Sequence, residues 1–356
     1  MTETGYANGL PRRAATAAEL VRGVVQDVLE EGISRYSDNN LEVRELLSVN
    51  TKLVDPLNRL MRSPGQPQIF NPGLAVARFF YLLSGSHDLE TIIFYSPAAA
   101  KFSDDGLTMP GGAHGFRLFH PISSVNQFDG VRAALSEYPE RNRAAVSFYH
   151  PSDCGSPTAD LTCVMGAMFT RKNGRLQTLV NMRANDALRL LWHDMFEFSM
   201  LGEYIARSGG FELGGYYHSS FVMMLIGRSA LESAELVIAE RESAPAMAPM
   251  PAVTRQTRVH LVGREREIRA AVAGLPFARF GDVLSELADQ EEPYWADLLT
   301  SLALQGRMVH REPLDAAAEL EKLSVPADFV VAEETRRNSL KLASARIMAT
   351  TPGAPG

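Results

Sequence analysis

A chain of 356 residues with 46% hydrophobic and 22% charged residues has an ordinary globular composition and length for one large domain or two modest ones. Its 42 acids against 35 lysines and arginines give a net charge of -7, which argues against a nucleic-acid coat but leaves room for a local arginine cluster that holds a small anion. Two cysteines cannot build a disulfide framework, the N-terminus has no apolar signal core, and no apolar run reaches membrane-spanning length, so a cytoplasmic protein is expected.

In chain order, Leu20, Val21, Val24, Val25, Val28 and Leu29 recur at spacings of three and four and predict an amphipathic helix within residues 14–33, followed by a polar loop. The stretch IFNPGLAVARFFYLLSG reads as a buried helix, with Pro72 near its start and Gly85 just past its end. ETIIFYS is expected as a short strand, SDDGLTMPGGAHGFRL as a glycine-rich loop, and RAAVSFYH as a strand leading to a loop with Cys154. Two further strands, roughly Leu161–Thr170 and Arg175–Met182, are joined by RKNG, whose Asn-Gly is a hairpin signal. A long apolar helix from Asp186 to Arg207, a strand at FELGGYYH and a helix at RSALESAELVIAE come next. The Pro/Ala-rich run over 242–256 marks a linker or an extended crossing segment. Beyond it EREIRAAVAG, FGDVLSELAD, PYWADLLTSLALQG and PLDAAAELEKL look helical, and TTPGAPG is a frayed end. The expectation is α+β: a mixed sheet packed with helices over 1–241, the linker 242–256, a helical extension over 257–349 and a disordered tail over 350–356.

Cys163 sits in an apolar strand, where a free cysteine ordinarily packs as a small hydrophobe. The residues downstream open a second possibility. Cys163, Gly174, Leu176, Arg183, Asp186 and Asp194 fall, without a gap, at the spacing of the thymidylate synthase family, and the stretch from Glu42 to Glu240 resembles that family. FNPGLAVARFFYLLSGSHDL resembles its early helix and loop, FYSPAAAKFSDDGLTMPGGAHGFR its glycine-rich crossover, and FELGGYYH its late strand. PYWADLL is similar to the C-terminal region of nucleotide hydroxymethylases, the branch that acts on CMP or dCMP.

The resemblance implies a thymidylate-synthase-like α+β fold and an enzyme that moves a one-carbon unit from 5,10-methylenetetrahydrofolate to C5 of a pyrimidine nucleotide. Cys163 is the implied nucleophile: a thiolate adding to C6 turns the ring into an enolate or enamine that can attack at C5. Arg183 would lower the thiol pKa and fork a phosphate. Arg143 would reach the phosphate from the second subunit of a homodimer, with Asn142 at the neighbouring family position and Arg141 beside it. Asp186 would hold the folate ring, and a helix-capping role suits it equally. Asp194 stands where uracil enzymes carry an amide. A carboxyl accepts from a 4-amino group and, when protonated, donates to N3, so this position implies a cytosine-type ring and a hydroxymethyl product.

Several positions depart from the pattern. Arg78 replaces an acid on the early helix, His114 a tyrosine, Met224 and Ile226 a His-x-Tyr pair that binds the sugar, Ala184 a serine, and Val164 the histidine after the nucleophile. His114 and Arg78 are candidate replacements for acid–base or anion-binding groups, since histidine titrates in the useful range. The losses keep a second class open: a non-catalytic paralogue that binds a nucleotide or a partner subunit. No metal-ligand spacing and no P-loop lysine accompany these residues.

Overall fold

The computed structural model describes residues 11–61, 69–120, 125–138, 140–241, 244–274 and 277–310. Helix α1 (Ala17–Glu31) begins where the Thr16 hydroxyl accepts from the Glu19 amide, and its stripe of Leu20, Val21, Val24, Val25 and Val28 is buried as the periodicity requires. Helix α2 (Pro72–Ser84) has both expected punctuation marks. The Asn71 side chain accepts from the Leu74 amide, Pro72 opens the first turn, and Gly85 closes the helix at φ 68°.

Seven strands form one mixed sheet: β1 (Arg12–Ala14), β2 (Ile33–Tyr36), β3 (Glu42–Leu53), β4 (Ala144–Ser147), β5 (Val164–Lys172), β6 (Arg175–Asp186) and β7 (Glu212–Ile226). The order is β1-β3-β7-β6-β5-β4, with β2 also on β3. β6 and β7 are parallel, so the chain between them crosses over as helix α6 (Leu191–Gly209), while β5 and β6 are an antiparallel hairpin. Asn173 (φ 52°) and Gly174 (φ 78°) both take the left-handed turn conformation that the Asn-Gly pair announces.

The register sorts the two faces. Phe169, Thr178, Tyr216 and Leu53 form one row across β5, β6, β7 and β3, and all are buried under helices. The adjacent row, Met168, Leu179, Tyr217 and Lys52, lies on the opposite face, where Met168 is 38% and Phe221 64% exposed. Every residue of α6 from Leu191 to Ala206 is buried, as for a helix lodged between layers.

Four expectations change. Residues 90–96 are not a strand but belong to α3 (Leu89–Tyr95), and only an isolated bridge joins Asp88 to Thr108. A short apolar run carries no period that separates the two states. The glycine-rich loop is interrupted by α4 (His114–Phe119), and β2 and β3 fill much of the region read as polar loop. The helix expected from Asp186 begins at Leu191, because β6 runs on to Asp186 and a turn intervenes. Helix α5 (Gln127–Glu137) precedes β4, and α7 (Arg228–Ala239) comes after β7.

Residues 244–254 of the Pro/Ala-rich segment carry neither helix nor strand and are tied to the core. Met247 donates its amide to the Leu57 carbonyl at 2.8 Å and Met250 to Glu203 Oε1 at 2.7 Å. Helices α8 (Arg255–Gly274), α9 (Phe277–Gln290) and α10 (Pro293–His310) then add to the same hydrophobic core, through Leu261, Ile268, Leu299 and Leu302 among others. The predicted helix over 313–323 and the C-terminal tail lie outside the described residues. No helix among the described residues is long and apolar enough to cross a membrane.

Candidate active site

Cys163 stands just ahead of β5, and its carbonyl accepts from the Arg183 amide of β6 at 2.9 Å. The Arg183 side chain turns back along the incoming chain, donating from Nε to the Thr162 carbonyl at 2.9 Å and from Nη2 to Leu161 at 3.2 Å. The guanidinium is thereby fixed beside the cysteine. The expected lowering of the thiol by Arg183 is present but outweighed. Burial pushes the Cys163 thiol above its ordinary range, Arg183 pulls it down, and the nearby Asp194 carboxyl adds to the upward push. Cys154 is exposed in a separate loop.

Opposite the thiol, the start of α6 presents Asp194 and Glu197 on one face, as i, i+3 spacing dictates. Arg78, the one charged residue of α2, meets both: Nε donates to Glu197 Oε2 at 2.9 Å, and Nη2 bonds both Asp194 Oδ1 and Glu197. Glu197 Oε1 holds His114 Nδ1 at 2.7 Å. Asn185 Nδ2 donates to Asp194 Oδ2 at 3.1 Å and lies 3.1 Å from His218 Nε2, while His218 Nδ1 lies 3.0 Å from the Tyr216 hydroxyl. A continuous polar chain therefore runs from β7 through Asn185, Asp194, Arg78 and Glu197 to His114, within the buried layer between the helices and the sheet.

Close backbone approach brings His114 to this chain. A Cβ on Gly115 would lie 1.8 Å from the Leu82 carbonyl oxygen, so only glycine lets α4 rest on α2. The preceding turn is pinned by Asp160, which accepts the Gly111 and Gly112 amides.

Charge in the chain is unequally held. Burial alone would weaken the Arg78 cation, but Glu197 and Asp194 overcome it and raise its pKa. Burial would raise Glu197, yet Arg78 and His114 bring it below the usual carboxylate range. Asp194 goes the other way, because its burial exceeds the help from Arg78 and Glu197 repels it. Asp194 is thus the acid of the pair that takes a proton more readily. His218 is pushed down to about 4 by burial and is neutral near pH 7.

The structure brings Cys163, Arg183, Asp194 and His114 together. Asp186 lies further along β6, where it accepts from the Leu188 and Arg189 amides of the intervening turn; it does not cap α6, whose N-cap is Leu190. Arg143 is not part of the constellation within one chain. It precedes Ala144, which pairs with Phe169, six residues along β5 from Cys163 and so about 20 Å away. Its guanidinium rests over the Tyr138 ring, 4.7 Å from the centroid. Met224 pairs with Asp186 across β6 and β7, and the Ile226 carbonyl accepts from Arg189. Sequence reasoning missed Glu197, Asn185 and His218. Acids at 194 and 197, three residues apart in a mostly apolar helix, were the available signal for the first.

Residues 95–251 match the family model described as thymidylate synthase. That segment is similar to a thymidylate synthase domain. Cys163, Arg183, Asp186 and Asp194 all lie within it. The chain is 32% identical over 192 residues to a deoxyuridylate hydroxymethyltransferase of Pseudomonas phage M6, covering 52% of this chain and 53% of the relative. It is 27% identical over 214 residues to one of Bacillus phage SP01, covering 56% and 54%. The chain thus spans about half the length of the curated relatives it matches. The thermostable thymidylate synthase A of Bacillus subtilis shares the fold, with a TM-score of 0.52 at 20% identity over 64% of this chain and 84% of that one. Arg78 on α2 lies outside the family-matched segment, although it joins two acids inside it.

Proposed function

We propose that this protein transfers a one-carbon unit to C5 of a pyrimidine nucleotide through a covalent adduct of Cys163 and releases a hydroxymethylated ring. The observation that carries this reading is the convergence of the Cys163 thiol, the Arg183 guanidinium and the Asp194 carboxyl at the head of the β5–β6 hairpin, backed by Arg78, Glu197 and His114. The thiolate adds to C6, and the electron pair of the C5–C6 bond moves toward O4, leaving C5 nucleophilic. Because burial holds the resting thiol protonated, binding of an anionic nucleotide must proceed with proton loss from Cys163, and Arg183 is the cation placed to favour it.

Arg78 and Asp194 together offer the ring edge one donor and one acceptor. Uracil presents an N3–H donor and an O4 acceptor, and cytosine presents a 4-amino donor and an N3 acceptor in the reverse order. Both phage relatives named above are deoxyuridylate enzymes, which favours uracil. The upward push on Asp194 favours cytosine, since a protonated carboxyl donates to N3. The reading adopted is uracil, with a cytosine nucleotide as the second.

For the folate, Asp186 has the right remaining chemistry. Oδ1 takes two backbone amides, while Oδ2 is met only by Arg189 at 3.4 Å and keeps acceptor capacity for a ring N–H. Bound methylenetetrahydrofolate would supply the one-carbon unit there. A second copy of the chain suits the open face of the sheet around Met168, Tyr217 and Phe221, and would bring Arg143 to the partner's phosphate site.

The test is covalent capture. A C5 fluorine cannot leave as a cation, so a 5-fluoropyrimidine nucleotide with methylenetetrahydrofolate should arrest at the adduct. Intact mass should show the adduct on wild type and none on Cys163→Ser. Comparing 5-fluoro-dUMP with 5-fluoro-dCMP decides the ring. No adduct with either would sink the reading in favour of a non-catalytic paralogue.

A further inference from the structure

We propose that His114, oriented by Glu197, is the base that activates the water completing hydroxymethylation; this rests on the reaction proposed above. In the neutral ring the hydrogen bond to Glu197 fixes the tautomer. A carboxylate accepts only, so Nδ1 must carry the hydrogen that meets Glu197 Oε1 at 2.7 Å, and Nε2 keeps its lone pair. Nε2 has no hydrogen-bond partner among the described residues and is not among the fully buried unpartnered atoms. The ring is walled by Phe148 and Phe198, with centroids at 5.4 and 5.1 Å, so that nitrogen is its one open polar end.

The alternatives are spent elsewhere. His218 is bonded at both ring nitrogens, and His193 Nδ1 sits on the Arg189 carbonyl with Nε2 sealed from solvent. The acid that a family member would carry on the early helix is here Arg78, a permanent cation unable to accept a proton. The carboxylate has moved to α6 as Glu197, and its hydrogen bond passes its influence to an imidazole. The charged groups around that imidazole are Glu197 in contact and Arg78 and Asp194 behind it, while Arg117 of the same helix is turned to Asp153. His114 lies within electrostatic reach of Asp194, which lies within reach of the Cys163 thiol.

The step balances. Water gives a proton to His114 Nε2 as its oxygen bonds the exocyclic methylene carbon at C5. The methylene π pair passes into the ring as the C4 enolate. Collapse of the enolate restores the C4 carbonyl and the C5–C6 double bond and expels Cys163 Sγ as thiolate. One water is consumed, the hydroxyl stays on the product, and the proton is left on His114. Glu197 is a positioning residue in this scheme, and His114 is the catalytic one.

The experiment separates this role from the parent reading. With dUMP and methylenetetrahydrofolate, His114→Gln should lose about 100-fold or more in hydroxymethyl product while its 5-fluoro-dUMP adduct on Cys163 forms as in wild type. Added imidazole should restore turnover to His114→Gly, and the pH–rate profile of His114→Gln should lack one limb of the wild-type curve. Glu197→Gln should reduce product with the adduct intact. Turnover of His114→Gln within about threefold of wild type would overturn the proposal. So would a folded variant that loses adduct and product in parallel and gains nothing from imidazole. A wild type that forms neither adduct nor product removes the parent reading, and this one with it.

Discussion

Replacing Arg78 by Met deletes the cation between two acids whose side chains are only 5% and 4% exposed. Methionine keeps the length and apolar stem of arginine, so the packing of α2 on α6 changes little. The cost is electrostatic: breaking a buried pair by removing one partner typically destabilises by about 3–5 kcal/mol, because the other charge is left without compensation. Asp194 and Glu197 would then hold protons more tightly folded than unfolded. A carboxylate whose folded pKa is raised binds more protons in the native state, so stability falls as pH rises. The defect of Arg78→Met should therefore be larger at pH 8 than at pH 5, measured by urea unfolding at both. The double variant Arg78→Met, Glu197→Met should recover part of the loss, since it removes one orphaned charge. A defect below about 1 kcal/mol at pH 8, or one equal at both pH values, would refute the account of the cluster.

Alkylation of Cys163, followed by mass spectrometry, should still be accelerating as pH climbs through 9, because burial holds the thiol above its ordinary range and only the thiolate reacts. A plateau below pH 8 would contradict this. Gly115→Ala pushes a methyl against the Leu82 carbonyl and should cost about 1–3 kcal/mol in thermal or urea melts, with product formation falling as His114 is displaced. Gly174→Ala places a side chain at φ 78° but meets nothing within 4 Å, so it should cost only about 1–2 kcal/mol of strain and leave adduct formation unchanged.

What the linear string discloses depends on whether a feature is local. Asn71, Pro72 and Gly85 bracket α2, and Asn173 with Gly174 makes the hairpin, because caps and turns are decided by a few adjacent residues. Cys163, Arg183 and Asp194 could be found from their fixed separations along β5, β6 and α6. Strand β3 resisted reading because its alternation breaks: Leu46 and Leu47 are adjacent, Ser48 takes φ 56°, and a charged Glu45 is buried. Arg78 looked like a lost catalytic acid because its partners lie 116 and 119 residues away, and the acids of α6 do not by themselves say which cation they meet. The apolar run at 90–96 was ambiguous for a different reason, being too short for either period to show.

The C-terminal helices also govern how the molecule can be divided. Gln305 of α10 accepts from Asn71, the cap of the helix that carries Arg78, and donates to the Tyr95 carbonyl at 2.7 Å. A Cβ on Gly73 would lie 2.8 Å from the Gln305 side chain, so α10 lies hard against the first turn of α2. A fragment cut to the boundaries of residues 95–251 would lack Arg78 and would leave Asp194 and Glu197 without the cation that bridges them. Excising the recognisable segment would thus discard the counter-ion that makes it habitable, and any shortened version has to retain both flanks.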